Sequence, residues 1–255
     1  MPPLTTSSLE MLITGATVVA LALATAGAVV VRVTGQGTRA GAGAGLVVAY
    51  LCILGLGPGA LLPLAVFVLG AGALTRLGRS TKQAAGAAEA NEGRRGGWHV
   101  AAKLGIPALL GIAGILGHRG PPLSFAYAAA LAGAFADTSG TEIGPLGGGF
   151  AFALRDGRFS RLPHGTPGGI SVTGLIASAV AAAVVAWGSA LSGLIGGSSG
   201  PGIVAAAGFS AALLESVIAA TPLGRPLRHF GRNVMVSAVA SAIGYWAGSS
   251  GWGRA

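Results

Sequence analysis

Long apolar stretches with almost no charge follow one another along this chain, at about Leu9–Val31, Gly41–Gly57, Ala60–Leu77, Trp98–Gly117, Leu123–Pro145, Gly169–Ile195, Gly202–Thr221 and Asn233–Gly248. Each approaches the ~20 residues that a helix needs to cross roughly 30 Å of hydrocarbon. Only 9% of residues are charged, and 52% are hydrophobic. A soluble domain carries roughly 25% charged residues, and no polar stretch here is long enough to form one. The chain is therefore expected to be all-α, a polytopic integral membrane bundle of about eight helices, with residues 1–255 as one domain. The second and third spans are short, and Gly57-Pro58-Gly59 between them marks a tight turn. A re-entrant pair is the alternative there.

The basic residues test this division independently. Thirteen of the sixteen Lys and Arg fall in the loops after spans one, three, five and seven, two lie elsewhere outside the spans, and Lys103 lies inside span four. Under the positive-inside rule this split predicts an N-out, eight-span topology, with the basic loops on the cytoplasmic side. It also removes nucleic acid as a reading of the net charge of +9, since the charge sits in short loops and aromatics are only 6%. Met1–Ser8 contains no Lys or Arg, so the first span lacks the basic flank of a cleaved signal and is expected to be retained. Cys52 is the single cysteine, which rules out an internal disulfide and a cysteine metal cluster; a packed thiol is expected. A bacterial inner membrane or an organelle membrane is the expected location.

Glycine supplies 46 residues. Small side chains let helices approach closely in lipid, and the pairs Gly41/Gly45 and Gly193/Gly197 have the spacing for such packing.

There are seven acidic residues. Glu10, Glu89, Glu92 and Asp156 lie at span ends or in loops, where solvation explains them. Asp137, Glu142 and Glu215 lie in apolar spans, where a lone charge costs about 2.5–3.5 kcal/mol or more and faces a bundle interior or a watery cavity. The N-out topology puts all three in the cytoplasmic half, together with Lys103 and Asn233. Lys103 as a snorkelling side chain and Asn233 as a helix N-cap are the simpler alternatives. His99 is expected at the interface, and His118 and His229 carry no signal.

The segment Asp137-Thr138-Ser139-Gly140-Thr141-Glu142-Ile143-Gly144 concentrates two carboxylates and three hydroxyls. On a straight helix positions 137 and 142 are about 140° apart. Both can meet one ion only if Gly140 or Gly144 loosens the helix, or through waters. Mg²⁺ suits such a site, because it accepts one or two carboxylates plus waters and phosphates. Arg155, Arg158 and Arg161 precede Gly165-Thr166-Pro167-Gly168-Gly169 and a helix start. A glycine-rich turn at a helix N-terminus offers backbone N–H groups to a phosphate. No GxxxxGK[ST] or HExxH sequence occurs.

These residues carry a resemblance. Phe135 through Gly144 resembles an Ala-Asp-Thr-x-(Ala/Ser/Gly)-(Ser/Thr)-Glu-(Ile/Leu)-Gly signature, and Pro163 through Gly174 a Pro-x-Gly-Thr-x-Gly-Gly-(Val/Ile)-Ser-x-x-Gly signature. Gly93-Arg94-Arg95 resembles a Gly-Arg-Arg-Asn segment before span four, and Asn233 an Asn in the last span. The chain resembles the integral-membrane domain-of-unknown-function family ninety-two, which includes plant phytyl phosphate kinase and an animal transmembrane protein. Gly96-Gly97-Trp98-His99, Lys103 and Glu215 depart from the family pattern.

The resemblance implies an isoprenoid role. The leading expectation is an enzyme, a kinase moving a phosphoryl group from a nucleoside triphosphate to a phytyl or polyprenyl monophosphate at the cytoplasmic face. Asp137 and Glu142 would hold Mg²⁺. Lys103, Arg94 and Arg95 would counter the phosphates. The Gly165–Gly169 turn would cradle one phosphate, and the lipid-embedded bundle would hold the tail. The rival is a transporter or flippase for a small or lipidic anion, and a non-catalytic scaffold is a third reading.

Overall fold

The structure, a computed structural model, describes residues 6–80, 95–148, 150–155, 158–163, 166, 168–224 and 226–251. Among these residues there are eight α-helices: α1 (Thr6–Val33), α2 (Arg39–Leu56), α3 (Leu61–Arg76), α4 (Gly97–Ile115), α5 (Pro121–Ile143), α6 (Val172–Leu191), α7 (Gly200–Ala219) and α8 (His229–Ser249). Six segments, within α1 to α4, α6 and α7, are long and apolar enough to cross a membrane. The other two, α5 and α8, are as long but less apolar.

For α5, position accounts for that difference. Every residue from Phe125 to Ala136 on α5 is buried, and α8 lies along it. A helix wrapped by other helices meets protein instead of lipid, so it tolerates small and polar residues that a lipid-facing helix cannot. Alanine and glycine make the approach close. A Cβ on Gly244 would meet the Phe125 carbonyl, and one on Gly248 would meet Pro122.

The turns behave as their chemistry requires. Gly57 takes φ +88° and leads into a short 3₁₀ turn, Pro58–Ala60, before α3. The buried Tyr127 hydroxyl on α5 donates to the Ala60 carbonyl at 2.9 Å, fixing this turn on the central helix. Thr38 and Ser171 cap α2 and α6 by accepting from Gly41 N and Gly174 N. Cys52 is buried and its thiol donates to the Pro107 carbonyl.

Pro107 lies inside α4 and supplies no N–H to the carbonyl four residues earlier, that of Lys103. The Ser237 hydroxyl of α8 donates to that carbonyl at 3.2 Å. Ser237→Ala should therefore destabilise the bundle by about 1–3 kcal/mol, the cost of an orphaned buried acceptor. Thermal unfolding in detergent would read this, and an unchanged midpoint would show that another donor takes over.

Two expectations need correction. Gly193 and Gly197 do not pack helices together. α6 ends at Leu191, and both glycines take positive φ after it, with nothing within 4 Å of where a Cβ on Gly193 would stand. Asn233 does not cap α8, which begins one turn earlier, at His229. In the loop after α5, Ala151–Arg155 and Arg158–Leu162 form a two-stranded antiparallel hairpin, β1–β2, in the register Phe152↔Arg161 and Arg155↔Arg158.

The ends of the helices bounding the basic loops come together at one end of the bundle. Thr38 N donates to Arg95 O and Arg95 N to Gln36 O. Arg76 Nη2 donates to Thr34 O at 2.6 Å. Trp98 at the start of α4 stacks on Phe230 at the start of α8, with ring centroids 4.5 Å apart.

Candidate functional site

At this basic end, the polar intramembrane residues form three contacts. The Lys103 ammonium on α4 lies 2.7 Å from Asp137 Oδ2 on α5, and Lys103 is only 5% exposed. Glu142 Oε1 accepts from the Thr75 hydroxyl of α3 at 2.6 Å, and Arg95 Nη2 reaches the same hydroxyl at 3.4 Å. Glu215 on α7 faces Arg232 on α8, Oε1 to Nε 3.6 Å, an ion contact longer than a hydrogen bond.

The expected pairing of Asp137 with Glu142 around one ion is not the arrangement observed. α5 stays a regular helix through Ile143, so neither glycine loosens it and the angular separation persists. Asp137 turns toward α4, whereas Glu142 is buried against α3. The carboxylate that shares a cavity with Asp137 is Glu215.

That cavity has a volume of about 260 Å³. Its walls include Asp137, Thr141, Glu215, Ser216, His229, Arg232 and Asn233, with Thr166, Gly168 and Gly169 closing one side. Asn233 is buried, and its Nδ2 has no hydrogen-bond partner among the described residues. Gly168 takes φ +79°, and a Cβ there would strike the backbone of Ala220 at the end of α7. Only glycine lets the turn sit this close to the helix end.

The turn is less open to a phosphate than its sequence suggests. Thr166 N donates to Pro163 O and Gly169 N to Thr166 O, so two of its amides are already engaged. Gly165 and Arg94 lie outside the described residues. Arg158 and Arg161 are exposed on the hairpin, where the Arg161 guanidinium lies over the Phe150 ring at 4.9 Å, and neither lines the cavity. Arg155 belongs to β1.

A second cavity, of about 300 Å³, lies among α1, α2, α3 and α4. Its walls are apolar apart from Gln36, Arg95, His99 and Lys103. The polar residues at this end therefore divide between two cavities, with the Lys103–Asp137 pair between them. Lys103 and Arg95 line the apolar one, and Asp137 the polar one. Among the described residues, no group of three or more His, Cys, Asp or Glu forms a metal centre.

The description "Integral membrane protein DUF92" matches residues 16–240. The chain belongs to this family. DUF92 thus accounts for the multi-pass, helical membrane architecture. An uncharacterized membrane protein of Synechocystis sp. is 36% identical over 170 residues, covering 64% of this chain and 62% of the relative. The match thus spans less than two thirds of that relative's length. No solved structure matches this DUF92 chain.

Sequence reasoning missed Arg232, Thr75 and His229. Arg232 falls among the loop arginines by hydropathy because the apolar stretch opens only at Asn233, whereas α8 opens at His229. Thr75 sits in the last turn of α3, where a hydroxyl in an apolar helix gives little signal. His229 lines the polar cavity, its ring centroid 6.0 Å from that of His99, which lines the apolar one.

Proposed function

We propose that this DUF92 protein is an eight-span, N-out membrane kinase for an isoprenoid monophosphate, working at the face that carries the basic loops. The observation that carries this reading is the polar cavity at that end, where Asp137, Glu215, Arg232 and the unpartnered Asn233 amide converge. A transporter wants its site near the midplane; a cavity bordered by the Gly168–Gly169 turn at one end of the bundle favours chemistry from one side.

In the reaction, a terminal oxygen of the prenyl monophosphate attacks the γ-phosphorus of a nucleoside triphosphate. The bond from that phosphorus to the β–γ bridging oxygen breaks, giving prenyl diphosphate and nucleoside diphosphate. Such transfers depend mainly on positioning and charge neutralisation. Lys103, Arg95 and Arg232 neutralise phosphate charge, with Arg94 beside them in sequence. Asn233 donates through its amide, and the turn at Thr166, Gly168 and Gly169 shapes one wall. Mg²⁺ fits the donor set as a cation held by Asp137 and Glu215 and completed by phosphate oxygens and water, where it would neutralise the transferring group.

Purified chain given phytyl or farnesyl monophosphate, labelled CTP or ATP, and Mg²⁺ should form the diphosphate. Glu215→Gln and Asp137→Asn should each lower turnover by roughly 10²-fold or more. No product from the unsubstituted chain, with proteoliposomes accumulating the monophosphate, would establish transport instead.

A further inference from the structure

We infer that the apolar cavity among α1 to α4 is the tail site, holding a single-chain lipid phosphate with its phosphate against Arg95 and Lys103. This rests on the kinase reading above and adds where the acceptor binds. The cavity wall carries two cations and no Asp or Glu. At the same end His99 Nε2 is buried with no hydrogen-bond partner among the described residues and can donate to a phosphate oxygen. Gln36 apart, everything else on the wall is apolar, from Val31 to Leu23 on α1 and from Leu69 to Leu61 on α3. Eight residues of helix give a depth of ~12 Å. An amphiphile with one apolar chain and one anionic end matches that wall in charge and in polarity.

The volume selects against two chains. About 300 Å³ is at the lower limit of ligand sites, enough for part of one isoprenoid chain and too little for a diacyl lipid. The helix packing leaves the space available. α1 packs chiefly on α2. Gly27 on α1 and Gly45 on α2 both border the cavity, with nothing within 4 Å of where a Cβ would stand. An acceptor phosphate against Lys103 lies directly across the ion pair from the polar cavity, since Asp137 Oδ2 is 2.7 Å from Lys103 Nζ. The donor triphosphate then occupies the polar side and the lipid the apolar side.

The test is photolabelling of the full chain in nanodiscs by farnesyl phosphate carrying a diazirine at the far end of its chain. Label should fall on residues 23–31 or 61–69 and be displaced by unlabelled farnesyl phosphate. Gly45→Leu and Gly27→Leu should each cut labelling at least tenfold. Gly43→Leu, exposed on α2 and outside the cavity, should not. Label on Leu175, Phe209 or Leu213, the apolar wall of the other cavity, overturns the assignment. So does equal displacement by phospholipid. Labelling needs no turnover, so the two readings fail separately. Groove labelling without phosphoryl transfer removes the kinase and keeps the tail site, whereas transfer with labelling elsewhere removes only the tail site.

Discussion

Asp137→Ala should lower the stability of the bundle by about 3–5 kcal/mol, the usual cost of stranding one partner of a buried ion pair. Lys103 is 5% exposed and points at Asp137 from 2.7 Å, and the wall of the apolar cavity that it lines carries no Asp or Glu. Removing the carboxylate leaves an ammonium without its counter-charge in a low-dielectric interior. The double variant Asp137→Ala/Lys103→Met should regain most of the loss, because a packed apolar pair is often as stable as a buried ionic one. On the proposed kinase reading, phosphoryl transfer should not return with it. Thermal unfolding in detergent reads the first effect and product formation the second. An unchanged midpoint for the single variant would mean that Lys103 reaches the interface and that nothing ionic divides the two cavities.

Gly111→Leu should have the other large effect. A Cβ at Gly111 would meet the backbone of Leu51 and Cys52 on α2, and those at Gly55 and Gly114 would meet each other's helix backbone. These contacts are backbone to backbone, so no rotamer change relieves them. Overpacking a core costs about 1–3 kcal/mol when side chains can shift, and forcing α2 from α4 exceeds that range. The expected result is loss of monodisperse protein. Gly105→Leu on the same helix, where nothing lies within 4 Å, should behave like the unsubstituted chain. Equal recovery of both variants would contradict the close α2–α4 contact.

The helices were legible because hydrocarbon imposes one rule on each of them, and the ranges read from sequence lie within a few residues of those observed. Errors came where that rule is relaxed. α8 starts at His229, four residues before Asn233, because its exposed and half-buried first turn accepts a histidine and an arginine, which hydropathy assigns to a loop. The hairpin was missed although its sequence is suggestive. Asp156-Gly157 is a favoured two-residue hairpin dipeptide, flanked by alternating Ala151-Phe152-Ala153 and Phe159-Ser160-Arg161. The arginines there carry a topology signal and flank a glycine-rich turn, and neither reading calls for strands.

The site was legible in depth and not in direction. Sequence gives each residue a height on its helix, so Lys103, Asp137, Glu142, Glu215 and Asn233 were rightly placed at one end. It does not say which neighbour each faces. Five residues along α5 are enough to send Asp137 to α4 and Glu142 to α3. The polar residues therefore divide between two cavities, and the role of Arg232 shows only in its facing Glu215.

The central place of α5 bears on how the protein is made. It is one of the two helices least suited to lipid, yet it leaves the ribosome before α6, α7 and α8. Val236 and Ala240 of α8 cover it at Gly133 and the α8 glycine Gly244 covers it at Phe125. Until then the nascent helix carries two carboxylates with part of its surface uncovered. Biogenesis thus demands that the insertion machinery, or a helix already released, shelter α5 until α8 is synthesised. A chain arrested before His229 should be retained there or degraded.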